Sequence, residues 1–316
     1  NKSNSGFMKI TTLPKYYQNK VIHFGSQYMW VDWWKILPKN NNYVVSFFHG
    51  KKEDGKEVEK HINKFLESVA ALKKIVVSST IVKERLLLWG VPPNKVCLIP
   101  IGVNNNHFKP TTALKKKSVR KDYGITMASI VIGSFQKDGV GWQNGDTPKM
   151  IKGPDIFIKV LKILKQKGYE VTVLLTGPAR GYIKKELKKI NVKYKHKYFK
   201  NHNDLLNCYH ALDFYLITSR EEGGPMGLME AMASGIPVIS TPVGMAADLI
   251  KNNLSGKISC NFDHNKIAKL IISLIEDKKL KQRIIKNALL AVDDVKWTKV
   301  SDKHYKYVYL PLANKY

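Results

Sequence analysis

Short apolar runs rich in β-branched residues alternate with amphipathic stretches along the chain, and this alternation restricts the fold more than any other feature. Runs such as Val21–Phe24, Tyr43–Phe48 and Lys74–Ser78 predict strands. Residues Glu57–Leu72 predict a helix, because their apolar side chains recur on one face. Strands that alternate with helices in this way are typical of parallel α/β sheets.

A second series of strands and helices follows a polar, lysine-rich segment at residues 103–125. That segment is the best candidate for a domain boundary, so we expect a first domain at residues 1–110 and a second at 111–296. Residues 297–316 have apolar side chains at helical spacing and are expected to pack back on the first domain. The predicted elements of the second domain are strands at Ser129–Ser134, Glu170–Leu175, Asp213–Thr218 and Ile236–Ser240, and helices at Pro154–Gln166, Gly181–Ile190, Asp204–Ala211, Met226–Ala233 and Asp263–Glu276.

The chain has a formal net charge of +28, which raises the question of a nucleic-acid ligand. Of its 53 basic residues only five are arginines, which leaves 48 lysines. Proteins that read nucleic acids rely on arginine for bidentate contacts to phosphate and guanine, so the composition argues against nucleic acid as a partner. Two explanations stay open: a general bias toward lysine, and a cationic face that makes peripheral contact with an anionic membrane.

The sequence predicts a cytoplasmic protein, with peripheral attachment to the inner face of the membrane as an option. No apolar run reaches the roughly 18–20 residues that a membrane span requires. Residues 1–6 are polar and lack the layout of a signal peptide. Three widely spaced cysteines, Cys97, Cys208 and Cys260, fit a reducing compartment better than a disulfide framework.

The strongest functional signal lies in residues 219–240. A predicted strand ends at Thr218, a glycine-rich turn follows, and a helix begins near Pro225. The start of a helix presents backbone N–H groups and a positive dipole end, which together favour an anion such as phosphate. Glycines in the turn allow its backbone to approach a ligand closely; they are Gly223, Gly224 and Gly227.

Two glutamates, Glu222 and Glu230, lie in the same segment with seven residues between them. Carboxylates accept hydrogen bonds from hydroxyl groups, whereas the helix start suits phosphate. A nucleotide diphosphate sugar has both kinds of group. The segment therefore predicts a site for such a donor.

This segment resembles the E-x7-E motif of the retaining GT-B glycosyltransferases called glycosyl transferases group 1. Residues Glu230–Val238 closely match that family's E-A-M-A-x-G-x-P-V, and Thr241–Asp248 resembles its T-x-x-G-G-x-x-E with two substitutions. Ile99–Val103 resembles the stretch between the family's domains. The resemblance implies an α/β fold of two Rossmann-like, parallel-sheet domains facing a cleft. It also implies hexose transfer to a hydroxyl acceptor with retention of anomeric configuration.

Roles for individual residues follow from the resemblance. Glu230 would bind the donor ribose, and Glu222 would lie beside the donor hexose. His49, at the end of a first-domain strand, would face the sugar from the other side. Lys137 and Lys152 would neutralise the leaving diphosphate. The other predicted donor-binding residues are Gly223, Gly224, Met226, Gly227, Leu228, Ser134 and Gly177.

No metal or cofactor is expected. Many enzymes that release a nucleoside diphosphate hold a metal with an Asp-x-Asp pair, and the sequence contains no such pair. Fixed cations can stabilise the developing negative charge instead. The sequence therefore predicts a metal-independent reaction in which the nucleotide sugar is a substrate.

Two departures from the family bear on function. Residues 1–20 contain no strand followed by a glycine-rich turn, so the first domain is expected to be shortened. The long loop Gln136–Lys152 is a candidate lid, with Trp142 stacking on a sugar or base. The alternatives are a noncatalytic relative that binds a nucleotide sugar or an anionic surface, and another GT-B reaction such as epimerisation or phosphorolysis.

Overall fold

Two parallel sheets organise the chain, one of four strands and one of six. The structure is a computed structural model that describes residues 10–313, so the predictions for residues 1–9 and 314–316 lie outside the described part. The predicted α/β architecture with two parallel-sheet domains is confirmed. The limits predicted for the domains, at residues 110 and 296, stay predictions.

The first sheet has its strands in chain order, β1-β2-β3-β4, and each neighbouring pair is parallel. Three helices accompany it, and α3 begins at the Ser79 N-cap, whose hydroxyl accepts from the Val82 amide. The core between sheet and helices is aromatic as well as aliphatic, with Trp30, Phe47 and Phe65 fully buried. The elements are β1 Val21–Phe24, α1 Gln27–Trp33, β2 Asn42–Phe47, α2 Lys56–Ser68, β3 Leu72–Val77, α3 Thr80–Leu88 and β4 Val96–Leu98.

The second sheet has the order β10-β9-β8-β5-β6-β7, and each neighbouring pair is again parallel. Apolar helix faces pack on both sides of it, and α5 buries seven of its residues. Its elements are α4 Ala113–Asp122, β5 Ile130–Ser134, α5 Pro154–Gln166, β6 Val171–Thr176, α6 Gly181–Lys189, β7 Lys193–Lys197, α7 Leu205–Ala211, β8 Phe214–Ile217, α8 Met226–Ala233, β9 Val238–Ser240, α9 Met245–Leu249, β10 Lys257–Ile258, α10 His264–Glu276 and α11 Lys278–Asp293.

The chain returns to the first sheet after α11. Helices α12 (Trp297–His304) and α13 (Leu310–Ala313) are joined by a π-helical turn at Tyr305–Tyr309. Val300, Val308 and Leu312 form an apolar cluster with Val44, Val76 and Ile99 of the first domain. The chain thus crosses between the sheets twice, and the crossings are hydrogen-bonded side by side at residues 103 and 295–297.

Several elements differ from the sequence predictions. The polar segment 103–125 contains a helix that was not predicted, α4, which buries Val119 and Arg120 in the second domain. Strand β7 escaped prediction because three of its five residues are lysines, which occur on sheet edges where they discourage pairing with other chains. Within residues 10–313, no helix is long and apolar enough to cross a membrane.

Candidate functional site

The topology of the second sheet places a crevice between β5 and β8. From β5 the chain adds β6 and β7 on one side of the sheet and then β8, β9 and β10 on the other, so the strand order reverses at β5. In open parallel sheets, ligands bind outside the carboxyl ends of the strands at such a reversal. Ser134 ends β5, and the Ser219–Gly224 turn comes after β8. The predicted phosphate and sugar residues therefore lie at the point where topology alone predicts a ligand.

Lys152 and Glu222 meet in this crevice. The Lys152 ammonium lies 2.5 Å from Oε1 of Glu222, and both side chains are largely buried. The Ser219 hydroxyl donates to the same carboxylate oxygen at 2.9 Å. Gln136 joins the group by donating to the Lys152 carbonyl at 2.7 Å. The arrangement supplies one cation and one carboxylate at fixed positions, as a diphosphate next to a sugar requires.

Gly153 explains why Lys152 lies there. Its φ of +63° is left-handed, and a Cβ at this position would lie 1.8 Å from the carbonyl oxygen of Thr218. The Thr218 hydroxyl also donates to the Gly153 carbonyl at 2.9 Å. The turn before α5 is thereby packed directly on the end of β8, and this brings Lys152 to the residues that follow that strand.

His49 faces this group from the first domain. It follows the carboxyl end of β2, and burial lowers the pKa of His49, an effect that the nearby Lys152 charge strengthens and Glu222 opposes. The neutral imidazole is therefore favoured beside the Lys152 cation. The two domains touch here, because a Cβ on Gly223 would lie 2.0 Å from the Phe48 carbonyl oxygen.

The glycines of the turn, and Gly227 in the first turn of α8, pack closely against protein atoms. A Cβ on Gly224 would meet the Ile101 and Met245 side chains at 2.6 and 2.9 Å. A Cβ on Gly227 would meet the Tyr215 hydroxyl at 2.1 Å. Close packing of the polypeptide leaves no room for a side chain at these positions. Their contacts with a donor stay predictions.

The start of α8 keeps the properties expected of an anion site. Pro225 is the N-cap and no side chain caps the helix. Met226 is exposed, whereas Leu228 is fully buried and its amide donates to the Pro225 carbonyl at 2.9 Å. The first N–H groups of a helix have no partner within the helix, so this end can receive phosphate oxygens.

Glu230 lies deeper, in a buried polar cluster. One of its oxygens accepts from Tyr209 and the other pairs with His202 Nε2, both at 2.7 Å. The hydrogen bond to Glu230 raises the pKa of His202, and about half of the His202 side chain is exposed. Each carboxylate oxygen can accept a second hydrogen bond, so the cluster leaves Glu230 capacity for hydroxyl groups.

The loop Gln136–Lys152 forms a small hairpin instead of an open loop. Gly139 and Pro148 form an antiparallel bridge, and the Val140 amide donates to the Thr147 carbonyl. Trp142 at its tip is 80% exposed, with the Lys137 ammonium 3.7 Å from the ring centroid. Lys137 therefore contacts Trp142, unlike Lys152, which contacts Glu222. The lid role of this hairpin stays a prediction.

A third lysine, Lys149, lies near the predicted pair. Burial lowers the pKa of Lys149, and the charges of Lys152 and Lys137 lower it further. Three ammonium groups therefore share one region at the mouth of the crevice. With 48 lysines in the chain, no sequence signal singled out Lys149.

The strand ends of the crevice are held by a buried arginine that the sequence did not reveal. The Arg180 guanidinium donates to the carbonyls of Ser134 at 2.9 Å and Thr176 at 3.0 Å, which end β5 and β6. It also pairs with Asp138 at 3.0 Å, and burial raises the pKa of Asp138 to about 6 against the Arg180 charge. Gly177, with φ of +77°, follows β6 and accepts a hydrogen bond from His196. Ser134 and Gly177 thus lie at strand ends that hydrogen bonds from Arg180 and His196 hold.

Comparison with known protein families gives one match. Residues 145–290 match the sequence model of the family described as glycosyl transferases group 1. The chain is similar to that family over this region. The match includes both glutamates and the lysine of the crevice, whereas the retaining E-x7-E chemistry remains a matter of proposal.

Curated proteins similar to this chain are identical to it at about a quarter of the aligned positions. An uncharacterized glycosyltransferase of Methanocaldococcus jannaschii is 24% identical over 75% of this chain. The amylovoran biosynthesis glycosyltransferase AmsK of Erwinia amylovora is 23% identical over 80% of it. The chain spans 58% and 60% of the lengths of these two relatives.

Solved structures of the same architecture include an Anabaena protein, HepE, in complex with UDP. It superposes with a TM-score of 0.75 at 19% identity, over 91% of this chain and 78% of that protein. A sucrose-phosphate synthase from Thermosynechococcus elongatus superposes with a TM-score of 0.74 at 19% identity, over 93% of this chain and 74% of that enzyme. At this identity the likeness establishes the GT-B-like fold.

Proposed function

We propose that this chain transfers a hexose from a nucleotide diphosphate sugar to a hydroxyl acceptor, with retention of configuration and without a metal. One observation carries the proposal: Lys152 and Glu222 lie 2.5 Å apart at the strand-order reversal of the second sheet, and His49 faces them from the first. Relatives named as glycosyltransferases support it.

In this mechanism the ion pair opens when the donor binds. The diphosphate pairs with the Lys152 ammonium, and the hydroxyls of the hexose donate hydrogen bonds to the Glu222 carboxylate. Each ion thus exchanges one partner for another. As the bond to the sugar breaks, negative charge grows on the leaving diphosphate, and a cation already in place lowers that barrier. Lys137 and Lys149 add positive charge to the same region.

The remaining residues hold the two ends of the donor. Glu230 accepts hydrogen bonds from the ribose hydroxyls with the acceptor capacity that Tyr209 and His202 leave free. His49 contacts the hexose as a neutral imidazole, which can donate one hydrogen bond without adding charge beside Lys152. The acceptor hydroxyl approaches from the first domain.

Two single substitutions test the assignment. We expect Lys152→Met to lower the rate of donor hydrolysis and transfer by about 100-fold, because loss of one preorganised group of this kind costs on the order of 3 kcal/mol in the transition state. Glu230→Gln should mainly weaken donor binding. Wild-type hydrolysis and transfer in both variants would refute the site.

The donor is identified first by thermal shift with UDP-, GDP-, ADP- and dTDP-sugars, since a ligand that binds only the folded state raises the melting temperature. A sugar that raises it without any hydrolysis or transfer would favour the noncatalytic alternative.

A further inference from the structure

One arginine connects the segments that carry His49 and Glu222. Arg85, on α3 of the first domain, donates to both carboxylate oxygens of Glu221 at 2.6 and 3.1 Å. The same guanidinium donates to the carbonyl of Gly50 at 2.9 Å. Gly50 follows His49 and Glu221 precedes Glu222, so a single planar group fixes the two segments relative to each other.

The pair is buried and lies where the domains meet. The exposed fraction is 11% for the Arg85 side chain and 4% for that of Glu221. Lys51 adds a third charge at 3.0 Å from Glu221. Burial alone would raise the pKa of Glu221, but hydrogen bonds and charges from Arg85 and Lys51 outweigh it, and the pKa is lowered. The carboxylate is therefore ionised at neutral pH.

Helix α3 has a second attachment to the other domain at its start. The Thr80 amide donates to Oδ2 of Asp248 in α9 at 2.9 Å. A carboxylate at the N-terminus of a helix also interacts favourably with the helix dipole. No residue of α9 is a predicted donor contact. The Thr80–Asp248 and Arg85–Glu221 contacts of α3 therefore fix how the two domains are placed relative to each other.

We propose that Arg85 and Glu221 are positioning residues: their bidentate pair holds the Glu221–Gly224 turn so that Glu222 lies opposite His49. The inference rests on the proposed function, which gives Glu222 and His49 their roles. Neither Arg85 nor Glu221 contacts a reacting atom.

Energetics favour a positioning role over a purely stabilising one. A buried ion pair loses much hydration, and well-packed apolar residues often stabilise a fold as well or better. What a bidentate arginine–carboxylate pair adds is a fixed distance and angle between its two anchors. Geometry of this kind matters where a shift of about 1 Å can lower a rate about 100-fold.

Four proteins other than wild type test the proposal: Arg85→Gln, Glu221→Gln, the double variant and the control Lys116→Gln. The control also breaks a partly buried ion pair, between Lys116 and Asp213 at 2.7 Å, but at the start of β8, the end of the strand away from the crevice. Three quantities are measured: kcat and KM of donor hydrolysis, the Kd of UDP and of GDP, and hydrogen exchange of the backbone amides in 219–224.

We expect kcat to fall about tenfold or more in both single variants, because the Glu221–Gly224 turn is then no longer held in a single conformation. The nucleotide Kd should change by less than about twofold, since Glu230 and the start of α8 lie outside the 219–224 turn. Amides in 219–224 should exchange about tenfold faster. The double variant should be no worse than either single one, as for residues that act as a unit, and Lys116→Gln should match wild type.

The proposal is overturned if kcat and exchange in 219–224 stay at wild-type levels in both single variants. It is also overturned if Lys116→Gln produces the same changes, since general loss of stability would then be the cause. If wild type hydrolyses no donor, the proposed function fails, while the exchange measurement still decides whether Arg85 holds the turn.

Discussion

Replacing Gly223 by alanine tests the contact between the domains with one methyl group. The added Cβ would lie 2.0 Å from the Phe48 carbonyl oxygen and 2.7 Å from its carbon. Ordinary contacts of a Cβ begin at 3.4 Å, so the turn and the first domain must separate by about 1.4 Å. The backbone at Phe48 cannot rotate away as a side chain could, so the Glu222 turn has to move.

A displacement of this size should affect catalysis more than folding. Extra atoms in a packed region destabilise by roughly 1–3 kcal/mol, whereas misplacing a catalytic group by about 1 Å can lower the rate about 100-fold. We therefore expect Gly223→Ala to fold, with a modest decrease in the free energy of unfolding, and to lose about 100-fold in kcat of donor hydrolysis.

The assay combines donor hydrolysis with urea unfolding, and Gly25→Ala is the matched control. A Cβ on Gly25 has no atom within 4 Å and its φ lies outside the left-handed region, so the control adds the same methyl group to open space. The reasoning is refuted if Gly223→Ala hydrolyses the donor at the wild-type rate, because the domains would then tolerate separation or would not meet at Phe48.

Three further predictions concern other regions. Burial lowers the pKa of His23 to about 4, from an ordinary value of 6.5. Between these two pH values His23 is protonated in the unfolded chain but neutral in the folded one. The folded state therefore loses stability as the pH falls below 6.5, by about 2 kcal/mol at pH 5. His23→Gln should remove that difference between urea melts at pH 8 and pH 5, and an unchanged pH dependence would contradict it. Trp142→Ala should raise the donor KM about fivefold or more if the ring stacks on a base or sugar. The free energy of unfolding should not change, because the ring is 80% exposed. Unchanged donor and acceptor kinetics would refute the lid hypothesis. Gly102→Ala should lower the free energy of unfolding by roughly 1–3 kcal/mol, because its Cβ would lie 2.4 Å from the Trp297 ring, and a urea midpoint equal to wild type would speak against that contact.

Local signals explain what the sequence could predict. Helices Pro154–Gln166 and Met226–Ala233 begin and end as predicted, because proline, glycine and apolar spacing mark their ends within a few residues. Glu222 was singled out by the glycine-rich turn after a predicted strand, and parallel strands bring such turns to one edge of a sheet. Lys152 was assigned from the family resemblance alone. Their assigned roles stay predictions.

Contacts between distant residues were out of reach. Arg85 and Glu221 are separated by 136 positions, and nothing in either local sequence indicates the other. Tyr209 and His202 pair with Glu230 from the segment around α7, and Arg180 reaches two strand-end carbonyls from the start of α6. Such partners depend on how the sheets are assembled in space, which periodicity and capping do not encode.

The return of the last helices to the first sheet has a consequence for the order of synthesis. Val44, Val76 and Ile99 are covered by Val300, Val308 and Leu312, so the amino-terminal half emerges from the ribosome with this side of its sheet uncovered. Domains generally fold as their residues are made, but this one lacks a layer until residues 300–312 have been translated. We expect the second domain to be complete first, and the first domain to be exposed to chaperones in the interval.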